Sequence, residues 1–310
     1  MLGVGNALEK LEFLERLTDT IFVVRGKSGG RFPYSNSILI ETDHEGSILV
    51  DTGCGIETLI QIKKNDNVAR VINSHTHPDH SAGNWVFRDV AQSICVPNEG
   101  FETSGNTVAL SNRLAEPGWL AEYWIDFVSK VMNFRDCKPT DKYNGETVFE
   151  FGETTLLPIH TPGHTIDHYC LYEPHRKILF SFDYDLTPFG PWYGHRESSI
   201  AAVRESIRKL EELDVSLLVS GHGEIVKSRI EKRLRDFASK IDERNQKIIN
   251  ILPPSGKTLE QLVDDAPIYG KYPYAEPLLR YWEGNMIRKH LEELIHEGKV
   301  SVKGDKYFSQ

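Results

Sequence analysis

Seven consecutive residues, Ser74-His75-Thr76-His77-Pro78-Asp79-His80, place three imidazoles and a carboxylate directly after the apolar stretch Val68-Ala69-Arg70-Val71-Ile72-Asn73. A strand sends alternate side chains to one face, so His75 and His77 are expected to point the same way at its end. A turn at Pro78 then brings Asp79 and His80 round to a second point. Imidazole nitrogens and carboxylate oxygens are donors that zinc, iron and manganese accept. Taken alone, the run fits either two adjacent ion sites or a His-rich surface loop, and later segments decide between them.

The chain upstream of this run reads as a sheet. Thr20 to Arg25, Ser37 to Glu41 and Ser47 to Asp51 are short β-branched runs broken by Gly, Asn and Asp, the pattern of antiparallel strands. Asp51-Thr52-Gly53 closes the third, and Asp51 is expected beneath the His cluster, orienting an imidazole by hydrogen bond. A helix is expected over 56–65 and another over about 82–88.

Residues 97–145 interrupt the pattern with Gly, Ser and Asn turns and one helix, Trp119 to Asn133, which carries Trp119, Tyr123, Trp124 and Phe127. A connection of that length inside a domain suggests a lid. An amphipathic helix packing its aromatics on the core fits the same residues.

Strands resume at 147–151 and 154–159, followed by His160-Thr161-Pro162-Gly163-His164-Thr165, Asp167-His168 and a strand from Tyr169 to Tyr172. Lys177 to Phe182 is an apolar strand ending at Asp183-Tyr184-Asp185. Ser198-Ser199 is a helix N-cap signal, and Val215 to Val219 delivers Ser220-Gly221-His222-Gly223. Strands and helices alternating twice indicate a layered α/β sandwich. Collected at strand ends, His75, His77 and His164 would fill one metal site and Asp79, His80 and His222 a second, with Asp183 bridging. An open position on each ion would make the centre catalytic rather than structural.

With 310 residues and 39% hydrophobic content, the chain can bury a large core plus a small extra domain. A formal net charge of −9 argues against a nucleic-acid protein held by bulk electrostatics. Cys54, Cys95, Cys137 and Cys170 form no CxxC pair and read as reduced thiols. Met1 to Asn6 shows no secretory pattern, and no apolar run approaches the roughly 20 residues that span a bilayer. A cytoplasmic protein without membrane attachment is the expectation.

Pro253-Pro254-Ser255-Gly256-Lys257 is a linker signal. It divides the chain into a domain over 1–250 and a tail over 251–310. The tail reads as helix, helix and a hairpin of 300–302 with 306–308, the outline of a winged helix. Its eight Lys/Arg against nine Asp/Glu give no basic face, so packing on the core or on another copy is expected instead of DNA binding. The tail and the helix 229–250 offer surfaces for a homodimer.

His-Thr-His-Pro-Asp-His, Thr-Pro-Gly-His-Thr, an Asp after an apolar strand and Ser-Gly-His-Gly, in that order, resemble the metallo-β-lactamase superfamily over roughly residues 15–230. The resemblance implies an αββα sandwich with two metals at one edge between its sheets. The tail resembles the hydrolase branch with a C-terminal winged-helix-like extension. The family usually has Gly before the bridging Asp, where this chain has Phe182. Alignment with Leu179-Phe180-Ser181 selects Asp183 over Asp185. Flavodiiron relatives replace the second histidine with a carboxylate, so His77 argues against oxygen reduction.

The expected activity is hydrolysis with Asp79 taking and returning a proton, on a small-molecule substrate, first a thioester, other ester or lactone. The rivals are a phosphodiesterase or ribonuclease, and a non-catalytic regulator acting through its tail. Two divalent ions are expected, with zinc ahead of iron or manganese. Substrate contacts are expected from Tyr193, His195, Arg196 and Trp124. His160 and His168 are expected to support the ligands, and His44, His175, His290 and His296 to lie on the surface.

Overall fold

The β-branched runs pair in sequence order as a seven-stranded sheet: β1 (Leu14–Arg16), β2 (Ile21–Val24), β3 (Ser37–Ile40), β4 (Ser47–Val50), β5 (Val68–Ile72), β6 (Ser93–Pro97) and β7 (Asp141–Tyr143). The computed structural model describes residues 11–42, 46–115 and 118–310; His44 lies outside the described residues. From β1 to β4 the pairing is antiparallel, with Ile21 opposite Ile40 and Ile38 opposite Val50. From β4 to β7 it is parallel. Parallel neighbours need a crossover, which the helix Ile56–Asn65 provides between β4 and β5.

A second sheet has the order β12 (Leu217–Ser220), β11 (Ile178–Phe182), β10 (Tyr169–Glu173), β9 (Thr154–His160) and β8 (Phe149–Phe151). Successive side chains in the first sheet go to opposite faces, and nearly all are apolar. Ile21, Val23, Ile38, Ile40, Ile48, Val50 and Ile72 share one cluster with Leu156, Leu171, Phe180 and Val219 of the second sheet. The alternate set, Phe22, Val24, Leu39, Leu49 and Val71, packs with Leu59 and Ile62 of the helix Ile56–Asn65 and with Phe87. A strand covered on both faces reads as a continuous apolar run. Each fully buried Leu or Ile contributes about 1.5–3 kcal/mol, so this double layer is the scaffold for what sits at its edge.

The insertion carries two helices, Thr107–Leu114 and Trp119–Val131, where the sequence pointed to one. The first is capped by Asn106, whose Oδ1 accepts from Ala109 N at 2.8 Å. On the second, Leu120, Ala121, Trp124 and Val128 are buried, and Trp119 and Tyr123 are exposed. Trp124 is therefore a core residue on the inward stripe, without the surface that a substrate contact needs.

Two units divide the chain. The first runs to Thr161 and adds Asp167–Asp185 and Asp214–Ile230; the second consists of Pro162–Ile166, Leu186–Leu213 and Glu231–Gln310. In the second unit, Ser199 caps the helix Ile200–Glu211, and Thr258 and Gln261 form a capping box on Leu259–Asp265. The long helix Ile230–Asn250 follows the expected 229–250 closely, and Glu276–His296 is the longer of the two helices that follow it. β14 (Val300–Lys303) and β15 (Lys306–Ser309) make the expected hairpin, and β13 (Lys257–Thr258) joins it as a third strand. Ile248, Leu262, Ile287, Leu291 and Val300 form the core here.

His290 corrects the sequence reading. It is fully buried, taking a hydrogen bond from the Tyr193 hydroxyl at 2.8 Å and pairing with Asn245 Oδ1 at 2.6 Å. Burial, with Arg244 and Arg204 nearby, pushes its pKa down to about 3. Among the described residues, no helix is long and apolar enough to cross a membrane.

Candidate metal centre

Every candidate ligand in the first unit, and Asp51 beside them, follows the C-terminal end of a strand. Asp51 follows β4, the 74–80 run follows β5, Asp183 follows β11, and His222 lies two residues past β12. β5 stops at Ile72, so His75 and His77 sit on a loop and not on the strand itself; their ring centroids are 4.7 Å apart. His77 then caps the short helix Pro78–Ser81, with Pro78 in its first turn. Proline suits that position because its missing N–H has no partner to lose there. One turn of helix turns Asp79 and His80 to their own side.

Two groups result. His75, His77 and Asp183 each offer a donor atom within 4.8 Å of the others, and so do Asp79, His80 and His222. Asp183 faces both. Its Oδ1 is 2.7 Å from His80 Nε2 and 3.5 Å from His222 Nε2, while Oδ2 is 4.0 Å from His75 Nε2. Asp79 Oδ2 is 3.4 Å from His222 Nε2.

The donor set fits divalent cations. His80 Nδ1 donates to Asp51 at 2.7 Å, and His222 Nδ1 donates to Gly30 O at 2.7 Å. Asp51 also accepts from Ser74 N and Ser74 Oγ, both at 2.8 Å. The single Ser74 hydroxyl proton is thereby committed, so toward His75 Nδ1, 3.0 Å away, Ser74 Oγ can only accept. With Nδ1 of all three rings occupied, their Nε2 atoms are the ones left for a metal. Burial opposes charge on His80, yet Asp183 and Asp51 overturn this and push its pKa up to about 10 without a metal; the same carboxylates would favour a cation in place of that proton. Burial and the neighbouring His80 hold His75 well below the usual range, as the neutral imidazole a metal accepts.

Asp51 supports two of the three rings, and an Asp51→Asn variant is expected to lower metal affinity about 10–100-fold. Competition with a chromophoric chelator measures this; unchanged affinity would remove its orienting role.

A buried amide network that the sequence did not suggest fixes the main chain here. Asn73 Nδ2 and Thr52 N both donate to His80 O, and Asn84 exchanges hydrogen bonds with Asn73 and Thr52. Gly53 is required by close approach, because a Cβ there would lie 1.5 Å from Asp79 O. Asp167 was not singled out either. It accepts from Thr76 N and Thr76 Oγ1, between the two loop histidines, and pairs with Arg113 of the insertion at 2.6 Å.

His168 is buried and accepts from Asp183 N at 3.3 Å, while its other nitrogen meets Thr161 Oγ1 at 2.9 Å. It therefore holds the segment that presents Asp183. His160 stacks on Tyr169 at 4.6 Å. Phe182 has φ +48°, in the left-handed region that glycine favours, which accounts for the family's glycine at this place. A phenylalanine there carries about 1–3 kcal/mol of strain; its ring is buried and stands edge-on to His80.

In the second unit, His164 Nδ1 donates to Trp192 O at 3.1 Å. Tyr193 is fully buried with its hydroxyl shared between His290 and Arg244, so it is a core residue and not a substrate contact. His195 is buried against Trp192 and Trp282, and Arg196 is exposed.

The Metallo-beta-lactamase superfamily profile matches residues 30–222, well over half of the chain. The chain belongs to the metallo-beta-lactamase superfamily. It is 25% identical over 264 residues to the lactamase-like protein aptB of Emericella nidulans, covering 82% of this chain and 72% of that one. It is 28% identical over 193 residues to the human acyl-coenzyme A thioesterase MBLAC2, spanning 54% of this chain and 64% of that protein's length. An atrochrysone carboxyl ACP thioesterase from Passalora fulva is 23% identical over 312 residues, covering 94% of this chain and 80% of the relative. Among solved structures, a metallo-beta-lactamase family protein from Thermus thermophilus superposes with a TM-score of 0.73 at 19% identity, over 95% of this chain and 100% of that chain. The protein is a hydrolase of this fold, and its His/Asp groups imply divalent metal ions.

Proposed function

We propose that the chain is a dinuclear metal-dependent thioesterase. One ion would be held by His75, His77 and His164, a second by Asp79, His80 and His222, with Asp183 shared. Zinc suits this nitrogen-rich set. The observation that carries the reading is the Asp183 carboxylate, which divides its two oxygens between His75 on one side and His80 with His222 on the other. Two divalent cations bound there would lower the pKa of a water and polarise a substrate carbonyl.

The chain's own residues do the rest. Asp51 and Ser74 hold the imidazole orientations, and His168 holds the backbone of Asp183. Asp79 carries a carboxylate oxygen beside His222, where it would take a proton from the attacking water and return it to the leaving group. A thioester is favoured because two of the relatives described above are named as thioesterases, one for coenzyme A and one for an acyl carrier protein.

The test is thiol release from acyl-coenzyme A and S-acylglutathione by zinc-loaded protein, beside bis(p-nitrophenyl) phosphate. The expected result is thiol release that stops when metal is stripped and returns when it is restored. Phosphodiester cleavage with the thioesters untouched would overturn the thioesterase reading.

A further inference from the structure

Five of the second unit's backbone carbonyls in the stretch 189–195 are committed to named partners, and four of the five are held by three residues of the two long C-terminal helices. Arg244 donates to Phe189 O and to Pro191 O, each at 2.5 Å. Asn285 Nδ2 donates to Gly194 O at 2.9 Å, and Lys289 Nζ to His195 O at 2.7 Å. The fifth carbonyl, that of Trp192, takes the Nδ1 proton of His164 at 3.1 Å. The Trp192 ring is fixed as well, with Nε1 donating to Tyr269 OH at 2.6 Å and its face edge-on to Trp282.

We infer that Arg244, Asn285 and Lys289 are positioning residues for His164. A carbonyl oxygen only accepts, so a Trp192 carbonyl held in place fixes the proton on His164 Nδ1 and leaves the Nε2 lone pair for a metal. The segment bearing His164 is fastened from the same unit. Ser198 Oγ donates to His164 O at 2.6 Å, Ser199 N to Gly163 O at 3.0 Å, and Ser206 Oγ to Pro162 O at 2.7 Å.

The choice of residues supports the inference. Arg244 is 4% exposed, and taking a guanidinium out of water costs several kcal/mol. An aliphatic side chain would fill that space without the penalty, whereas the guanidinium fork spans two carbonyls of one loop, a geometry that only a planar multi-donor group supplies. Lys289 is likewise drawn out of water to reach a main-chain oxygen, against the preference of an ammonium for hydration. The C-terminal helices thus have a role in setting a metal donor, beyond covering a core.

The inference rests on the reading that His164 binds an ion, and the test separates the two. Metal-free full-length protein is titrated with zinc against a chromophoric chelator, for the wild type and for His164→Ala, Asn285→Leu, Lys289→Met and Lys289→Arg. Lys289 is partly exposed and Lys289→Met keeps its stem, so near-UV circular dichroism is expected to stay native. The expected result is that Lys289→Met and Asn285→Leu weaken one of the two ions about 10–100-fold and leave the other unchanged. Lys289→Arg, which keeps a donor, restores the affinity. A folded Lys289→Met that binds both ions as the wild type does, or loses both equally, would overturn the inference. If Asn285→Leu does not fold, Lys289→Met decides alone. If His164→Ala still takes both ions at wild-type affinity, the ligand reading itself falls.

Discussion

An Asp183→Asn variant is expected to lose about three orders of magnitude in kcat/KM, since forfeiting about 4 kcal/mol of metal-assisted transition-state stabilisation corresponds to a thousandfold. The substitution preserves shape and the hydrogen bond from the Asp183 backbone to His168. It removes the charge that two sets of imidazoles share, with Oδ1 toward His80 and His222 and Oδ2 toward His75. A neutral amide has one acceptor oxygen and cannot serve both. Steady-state kinetics on whichever thioester is cleaved measure the loss. Activity within tenfold of wild type would show that Asp183 is not shared.

Asp167→Ala is expected to be the most destabilising single change near the centre. The Asp167 side chain is fully buried and that of Arg113 is 10% exposed. Removing one partner of a buried pair leaves an uncompensated charge and costs about 3–5 kcal/mol. At roughly 2–4 °C per kcal/mol for a unit of this size, the thermal midpoint should fall by about 10 °C. The variant also frees Thr76 N and Oγ1, so the loop carrying His75 and His77 loses its anchor. The double variant Arg113→Met, Asp167→Leu should recover stability and leave metal affinity impaired, because Thr76 stays unheld. A single variant that melts within 2 °C of wild type would sink the argument.

The site was open to sequence reasoning because its chemistry is local. Three imidazoles and a carboxylate within seven residues cannot be spread far apart, and the remaining donors each follow an apolar strand within a few residues. What was missed is long-range. Thr76 and Asp167 are 91 residues apart, and nothing about an isolated aspartate announces that it binds a backbone amide at that distance. Asn73 and Asn84 are equally silent, since a buried amide and an exposed one look alike in a sequence.

Other misses were readable from periodicity. His290 stands among Arg288, Lys289 and Glu292, which suits a surface position, yet it falls four residues after buried Met286 and four before buried Leu294, on the inward stripe of its helix. Trp124 lies on the same kind of stripe with Leu120 and Val128. In both, the 3.6-residue repeat carried more information than the chemistry of the neighbours. Phe182 shows the opposite case. A bulky residue at φ +48° breaks a local rule, and it does so one position before the shared carboxylate.

The central claim is that the two His/Asp groups hold two divalent ions. Elemental analysis of protein purified without chelator or added metal tests it most directly. Two ions per chain, falling toward zero when His77→Ala and Asp183→Ala are combined, is the predicted result. A stably folded protein that carries no metal, and takes up none when zinc is supplied, would contradict it.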